Sequence, residues 1–511
     1  MKINNYKTSI FLSLAFNILS KGLLFLVNIF IAYYFGATIS TDIYFFILAL
    51  ILLVANILLG ITGAVVIPEF MRKQSEVSDS EGHSFINRIF LWTLLCLLLL
   101  CAILWLYPVT IFSFFSSFDQ GALQTNVDLI HIGLLVLVLQ GIVTFLNEIL
   151  VAKRYFIIPS IVAIVNSLVV IIFISVFYEI HGLRSIFLAN LVALSFSLIV
   201  QATILGRYEK WKFLSVKTCR SKGLNADFFY ASLSTIATTV VAFYPIYLLS
   251  KFGGTLTEFN YAQRVSEIPN SLLVLQFCSI VAIRFNELFP RGDLKEINST
   301  YVRSAKTLLF ILVPLSLLIY YFGREISTLL FLRGALSQDS LYDVADFISI
   351  LILATPFVGL SYLTTKAMMA ARKVKENVVL QAVMIALHGV LLFLGVYLFG
   401  AKGYAWGYVC YQLIYSISLY FFLKKYLPYI SYGVSFKYII LLFIYSAGMI
   451  FTVALFIEPL RESLSALTYL LIGSLGFILL LLVANRIFKI NSDIAIFERQ
   501  LYNKLTFLLK K

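Results

Sequence analysis

Polar residues interrupt this chain only at long intervals. Fourteen apolar runs, each roughly 20 residues or longer, are separated by short polar gaps. A run of that length crosses a hydrocarbon core of about 30 Å as a helix. The runs fall at about 8–35, 41–68, 86–113, 127–151, 157–177, 183–204, 227–250, 257–286, 300–322, 342–370, 377–398, 402–424, 435–457 and 464–486. The pattern predicts an all-α integral membrane protein with 14 transmembrane helices.

The charges orient those helices. Of the 39 Lys and Arg, 29 lie in the tails and even-numbered gaps or at the helix ends bordering them. The odd-numbered gaps hold six: Arg184, Lys251, Arg324, Arg333, Lys402 and Arg461. The positive-inside rule then places the even gaps and both termini in the cytoplasm. The net charge of +14 is mostly topological. Basic residues scattered over many short loops do not form a nucleic-acid surface, so none is expected as a partner.

The gaps exclude most catalytic functions. The longest, about 69–85, 114–126, 205–226 and 323–341, are too short to fold as separate domains. No Gly-Lys dipeptide occurs, so no P-loop is present and no nucleotide cofactor is expected. The five Cys (Cys96, Cys101, Cys219, Cys278, Cys410) form no CxxC pair, and the four His stand on separate elements. Neither residue type suggests a disulfide or metal site. The first run is too long for the h-region of a cleavable signal peptide. A non-enzymatic helical bundle that moves a substrate is the remaining class.

The chain also repeats. Phe35-Gly36-Ala37-Thr38 resembles Phe252-Gly253-Gly254-Thr255 at an offset of 217 (252 − 35). Ala152-Lys153-Arg154 resembles Ala371-Arg372-Lys373 at 219 (371 − 152), and Gly182-Leu183-Arg184 resembles Gly400-Ala401-Lys402 at 218 (400 − 182). A duplicated six-helix unit follows. An even helix number keeps both copies in one orientation, giving parallel repeats and a site between lobes suited to alternating access. The expected organisation is an N-lobe over 1–204, a basic cytoplasmic linker over 205–226, a C-lobe over 227–424, a helix pair over 425–490 and an amphipathic cytoplasmic tail over 491–511. The linker and tail are basic enough to lie on anionic membrane lipids.

Ionisable groups inside spanning helices are costly and point to function. Lys21 stands about 13 residues into the first helix, roughly 20 Å along it. Arg264 and Glu267 share a face of the eighth helix, just before Pro269. Asp42 opens the second helix, where the helix dipole also favours an acid. Lys366 lies late in the tenth; Asn377 and Gln381 are further polar residues on the eleventh. Lys21 and Arg264 are the candidate anion-binding pair for a phosphate or pyrophosphate head group. Asp42 and Glu267 are the candidate gate or counter-charge residues. Each also has a structural reading: a dipole-favoured acid at Asp42, mutual neutralisation of Arg264 and Glu267, an interfacial position for Lys366.

On these residues the chain resembles the MOP exporter superfamily, and within it the MurJ/MviN-type lipid II flippases. The resemblance rests on Ser20-Lys21, Phe35-Gly36-Ala37 with Thr41-Asp42, Val66-Ile67-Pro68, Tyr261-Ala262-Gln263-Arg264 with Glu267 and Pro269, and Arg333-Gly334. It implies alternating-access flipping of an undecaprenyl-diphosphate-linked glycan across a bacterial inner membrane. It also implies cell-wall or polysaccharide synthesis enzymes as candidate partners. In that family arginines of helices 1, 2 and 8 attract the diphosphate. Here Lys21 stands for one, Val27, Ala55 and Asn56 occupy others, and Arg264 keeps its type. Some relatives use a sodium site with a C-lobe carboxylate. This chain offers Ser232, Ser234, Thr235, Asn377 and Gln381 there, so no metal is expected. A Wzx-like flippase for O-antigen, capsule or exopolysaccharide units is the alternative within the fold. A MATE-type cation-coupled exporter is the alternative from another class, and would need a cavity carboxylate and cationic substrates.

Overall fold

The computed structural model describes residues 6–76, 78–155, 157–209, 211, 239 and 243–491. Every regular element among them is helical. Among the described residues, twelve helices are long and apolar enough to cross a membrane. Two of the expected runs, the eleventh and twelfth, form one continuous assignment, Val374–Tyr426, broken by non-helical backbone at Gly400. The seventh lies mostly outside the described residues; its described end, 243–249, is helical. The tail beyond Asn491, most of the 205–226 linker and Cys219 also lie outside them.

The chain divides into two compact units. The first comprises residues 1–257 and 333–337, the second 258–332 and 338–511. The first unit holds α1 (Tyr6–Phe35), α2 (Ile39–Ile61), α3 (Ile67–Glu76), α4 (Asp79–Leu106), α5 (Pro108–Phe115), α6 (Gln120–Thr125), α7 (Val127–Ala152), α8 (Ile157–His181) and α9 (Arg184–Tyr208). Residues 255–257 begin α10 (Thr255–Pro269), which continues into the second unit. There follow α11 (Leu275–Arg291), α12 (Leu294–Tyr321), α13 (Gly323–Phe331), α14 (Gln338–Ile352), α15 (Thr355–Ala370), α16 (Val374–Tyr426), α17 (Tyr432–Ile457) and α18 (Ala466–Phe488).

Three expected loops are largely helical. Ser78 caps α4 by accepting from the Glu81 N–H at 3.2 Å, and Asp79 and Glu81 complement the dipole in its first turn. The third span therefore starts seven residues before the apolar run. It ends at Leu106 because Pro108 opens a new helix. Residues 323–331 form α13, and the tenth span is two helices meeting before Pro356. The second and eighth expected spans each contain a π-helical turn, Thr62–Val66 before Pro68 and Asn270–Val274 after Pro269. Such bulges accommodate the irregularity that proline introduces and mark helices under functional constraint.

The backbone sharpens the repeat. Positive φ occurs at Gly36 and Gly254, Arg154 and Arg372, Gly182 and Gly400. Each pair is separated by 218 residues (254 − 36, 372 − 154, 400 − 182). Arg154 and Arg372 end their helices alike: the Tyr155 N–H reaches Leu150 O at 2.9 Å, and the Lys373 N–H reaches Met368 O at 2.9 Å. A side chain in this region costs about 1–2 kcal/mol relative to right-handed backbone. Its recurrence at one offset is a conserved turn geometry within one chain. The sequence offsets of 217 and 219 are thus misregistered by one residue.

In the second unit, α17 is tied to α12 by Asn298. Its Nδ2 donates to Ser431 Oγ at 3.1 Å, and its Oδ1 accepts from the Ser431 N–H at 2.8 Å. Helix α18 seats Gly473 against the Phe322 ring, among buried Met449, Val453 and Tyr469.

Candidate functional site

Four of the residues that carried the sequence resemblance, Gly36, Thr41, Asp42 and Gly334, take part in close contacts within the first unit. Thr38 caps α2 in a reciprocal box with Thr41: the Thr41 N–H meets Thr38 Oγ1 at 3.2 Å, and the Thr38 N–H meets Thr41 Oγ1 at 2.6 Å. This fixes Asp42 in the first turn, fully buried. Asp42 Oδ2 accepts from the Gly254 N–H at 2.5 Å. Its Oδ1 accepts from the Thr257 N–H at 2.8 Å and from Thr257 Oγ1 at 2.6 Å. The carboxyl therefore satisfies orphan donors at the start of α10, where a helix needs acceptors and favours negative charge. It spans 212 residues or more of sequence.

A second strand of chain is pinned beside it. The Ala335 N–H donates to Tyr33 O at 2.8 Å. Gly334 and Gly36 lie so close to Tyr33 and Ala335, respectively, that a Cβ on either would meet backbone; both also have positive φ. Glycine is required here on both counts. Nearby, the Ser117 N–H donates to Ser250 Oγ at 2.9 Å, and Phe46 stacks edge-on with Phe118 and Phe243. Asp42 is thus the centre of a latch. The sequence marks Asp42, Gly36 and Gly334, but leaves Thr257 and Ala335 unmarked; the Ala335 bond in particular is made by backbone alone, which carries no residue signature.

The other candidates sit as follows. Lys21 is exposed on α1 and makes no ion pair among the described residues. Arg264 is half-buried on α10 and is not paired with Glu267. Glu267 instead accepts from Gln263 Nε2 at 2.7 Å. It lines a small cavity of about 100 Å³ with Asn270, Thr355, Tyr404 and Tyr408. The mutual-neutralisation reading of Arg264 and Glu267 therefore does not describe this arrangement. Lys366 places its ammonium 5.0 Å from the centre of the Tyr362 ring, a cation–π contact. Asn377 is buried with Oδ1 unpartnered, and Gln381 hydrogen-bonds Tyr415. No group of three His, Cys, Asp or Glu that could hold a metal occurs among the described residues.

Comparison of whole folds gives the class. The chain aligns with a structure described as lipid II flippase MurJ in an inward closed conformation, with TM-score 0.76 and 17% identity over 93% of this chain and 99% of that one. It aligns with the Vibrio cholerae MATE transporter VcmN in the bent form at TM-score 0.53 and 14% identity, over 83% of this chain and 99% of that one. The fold is that of the MOP-type membrane transporters. A profile of the family described as lipid II flippase MurJ matches residues 31–488, and the chain belongs to that family. Its members are flippases, transporters rather than catalysts. A probable lipid II flippase MurJ of Aquifex aeolicus is 22% identical over 65% of this chain and 66% of its own length. A probable lipid II flippase MurJ of Bdellovibrio bacteriovorus is 25% identical over 39% of this chain and 38% of its own. The matches thus span less than two thirds of these curated relatives.

Proposed function

We propose that this chain flips an undecaprenyl-diphosphate-linked glycan, a lipid II-like peptidoglycan precursor, from the inner to the outer leaflet of a bacterial cytoplasmic membrane. Lys21 and Arg264 take the diphosphate, and Asp42 closes the outer end between substrates. Both termini face the cytoplasm. Anionic lipids and the enzymes of cell-wall or polysaccharide synthesis are its further partners.

The observation that carries this reading is the pair of unneutralised cations. A charge at the centre of a spanning helix costs about 2.5–3.5 kcal/mol on insertion scales. Neither Lys21 nor Arg264 recovers that cost through a carboxylate among the described residues. An anionic ligand supplies the missing partner. Glu267, held by Gln263 one turn from Arg264, remains available as a counter-charge when the ligand leaves.

A second reading has its own observation. Val27 and Ala55 are buried and apolar, so α1 and α2 do not present the basic cluster that the family pattern implies at those positions. A less cationic site fits another lipid-linked glycan, as in a Wzx-like flippase. Complementation of a strain depleted of its lipid II flippase separates the two. Rescue by the wild type and not by Arg264→Ala is expected. Failure of a membrane-inserted wild type to rescue transfers the assignment to another glycan.

A further inference from the structure

The second unit holds a cleft of about 490 Å³ apart from the residues assigned to transport. Its walls come from the end of α12, from α14, from the turn of α16 and from the segment after α17. Tyr320 and Trp406 present rings; Asp346, Ser349, Lys402 and Arg461 supply polar groups. Lys402 and Arg461 belong to odd-numbered gaps, so the charge tally puts the cleft on the outer face.

Two of the three cations lining this cleft, Lys402 and Arg461, are already paired with carboxylates. Lys402 Nζ contacts Asp343 Oδ1 at 3.0 Å and is also bonded to Asp346. Arg461 Nη1 meets Glu458 Oε1 at 2.9 Å, and Nη2 meets Glu325 Oε1 at 2.8 Å. Arg324 stands 5.3 Å over the Tyr342 ring. A free phosphate would have to displace carboxylates from both paired cations. A neutral polyhydroxyl ligand needs no displacement. Its hydroxyls donate to the spare lone pairs of the carboxyls and accept from Lys402 and Arg461.

The rings argue for the same ligand. Trp406 and Tyr320 are 43% and 44% exposed at this polar site. Rigid amphipathic rings beside planar carboxyl and guanidinium groups match a pyranose, which has an apolar C–H face and an equatorial belt of hydroxyls. The volume lies in the range of about 300–1,000 Å³ typical of small-ligand sites.

We propose that this cleft is an outer-side saccharide subsite, taking one or two neutral pyranose units of the transported glycan. Trp406 and Tyr320 stack on the sugar; Asp346, Lys402 and Arg461 hold its hydroxyls. The identity of the sugar as cargo rests on the flippase reading, whereas the binding chemistry does not.

Saturation-transfer NMR on the purified full chain in nanodiscs tests this, with N,N′-diacetylchitobiose and maltose as probes and inorganic phosphate as competitor. Saturable binding of at least one disaccharide is expected, undisturbed by phosphate. Trp406→Ala should weaken it at least fivefold, Trp406→Phe should restore it, and Arg184→Ala should leave it unchanged. Tyr320→Ala carries the same expectation as Trp406→Ala and substitutes for it if that variant misfolds. Absence of disaccharide binding, equal binding by both alanine variants, or displacement by phosphate overturns the subsite. Disaccharide binding by a chain that complements no lipid II flippase-depleted strain leaves the subsite standing and transfers the cargo to another lipid-linked glycan.

Discussion

Asp42 ties the start of α2 to a segment more than 200 residues further along the chain. Its two oxygens accept three hydrogen bonds from Gly254 and Thr257, in a site closed to solvent. Removing the acceptor strands buried donors at about 1–3 kcal/mol each, more than the net worth of any single bond. Asp42→Asn keeps one oxygen but turns an amide donor toward an N–H. It should cost the latched arrangement about 2 kcal/mol, enough to raise an opened population roughly 30-fold. In a cysteine-free background, a cysteine at Ser117 should then react more than tenfold faster with a membrane-impermeant maleimide than in the Asp42 parent. Equal reactivity would make the latch a static brace and not a gate. Thr257→Val removes only the side-chain donor and should have a smaller effect in the same direction.

Elements show what the sequence could and could not tell. The spans were readable because their length and apolarity are imposed by the bilayer, one residue after another. The ends were not, since a cap such as Ser78 or a break such as Pro108 depends on one or two residues against a background of leucine. The partners of the polar side chains were also hidden: Glu325 with Arg461, and Glu458 with Tyr321 and Tyr469, join positions 136, 137 and 11 apart. Gly400 was readable as a repeat match, but its neighbours' role was not. Gly395 and Gly403 face each other across the turn of α16, each where a methyl would run into the other's carbonyl, and Gly407 abuts Leu391 in the same way. Small residues allow membrane helices to approach this closely, where packing supplies the association energy. Gly403→Val should therefore abolish monodisperse protein in fluorescence-detected size exclusion. Gly182→Ala, with open space around its Cβ position, should fold at a cost of about 1–2 kcal/mol for its positive φ.

At the scale of the whole molecule, duplication and charge make one joint claim about sidedness. The positive-φ positions Gly182 and Gly400 correspond by their 218-residue spacing, as do Arg154 and Arg372. Parallel repeats require each pair to emerge on one face of the membrane. The charge bias then chooses the face: Arg154 and Arg372 stand in lysine- and arginine-rich gaps, and Gly182 and Gly400 lie in sparse ones. Inverted repeats would instead split each pair across the bilayer, so the two architectures differ in an observable. Single cysteines at Leu183 and Ala401, in a chain with its five native cysteines replaced, should label in intact cells with an impermeant maleimide. Cysteines at Arg154 and Arg372 should label only after permeabilisation. Labelling of one member of a pair without the other would break the parallel duplication. Uniform reversal of all four would keep the duplication and overturn the orientation, moving the saccharide cleft and the Asp42 latch to the cytoplasmic side.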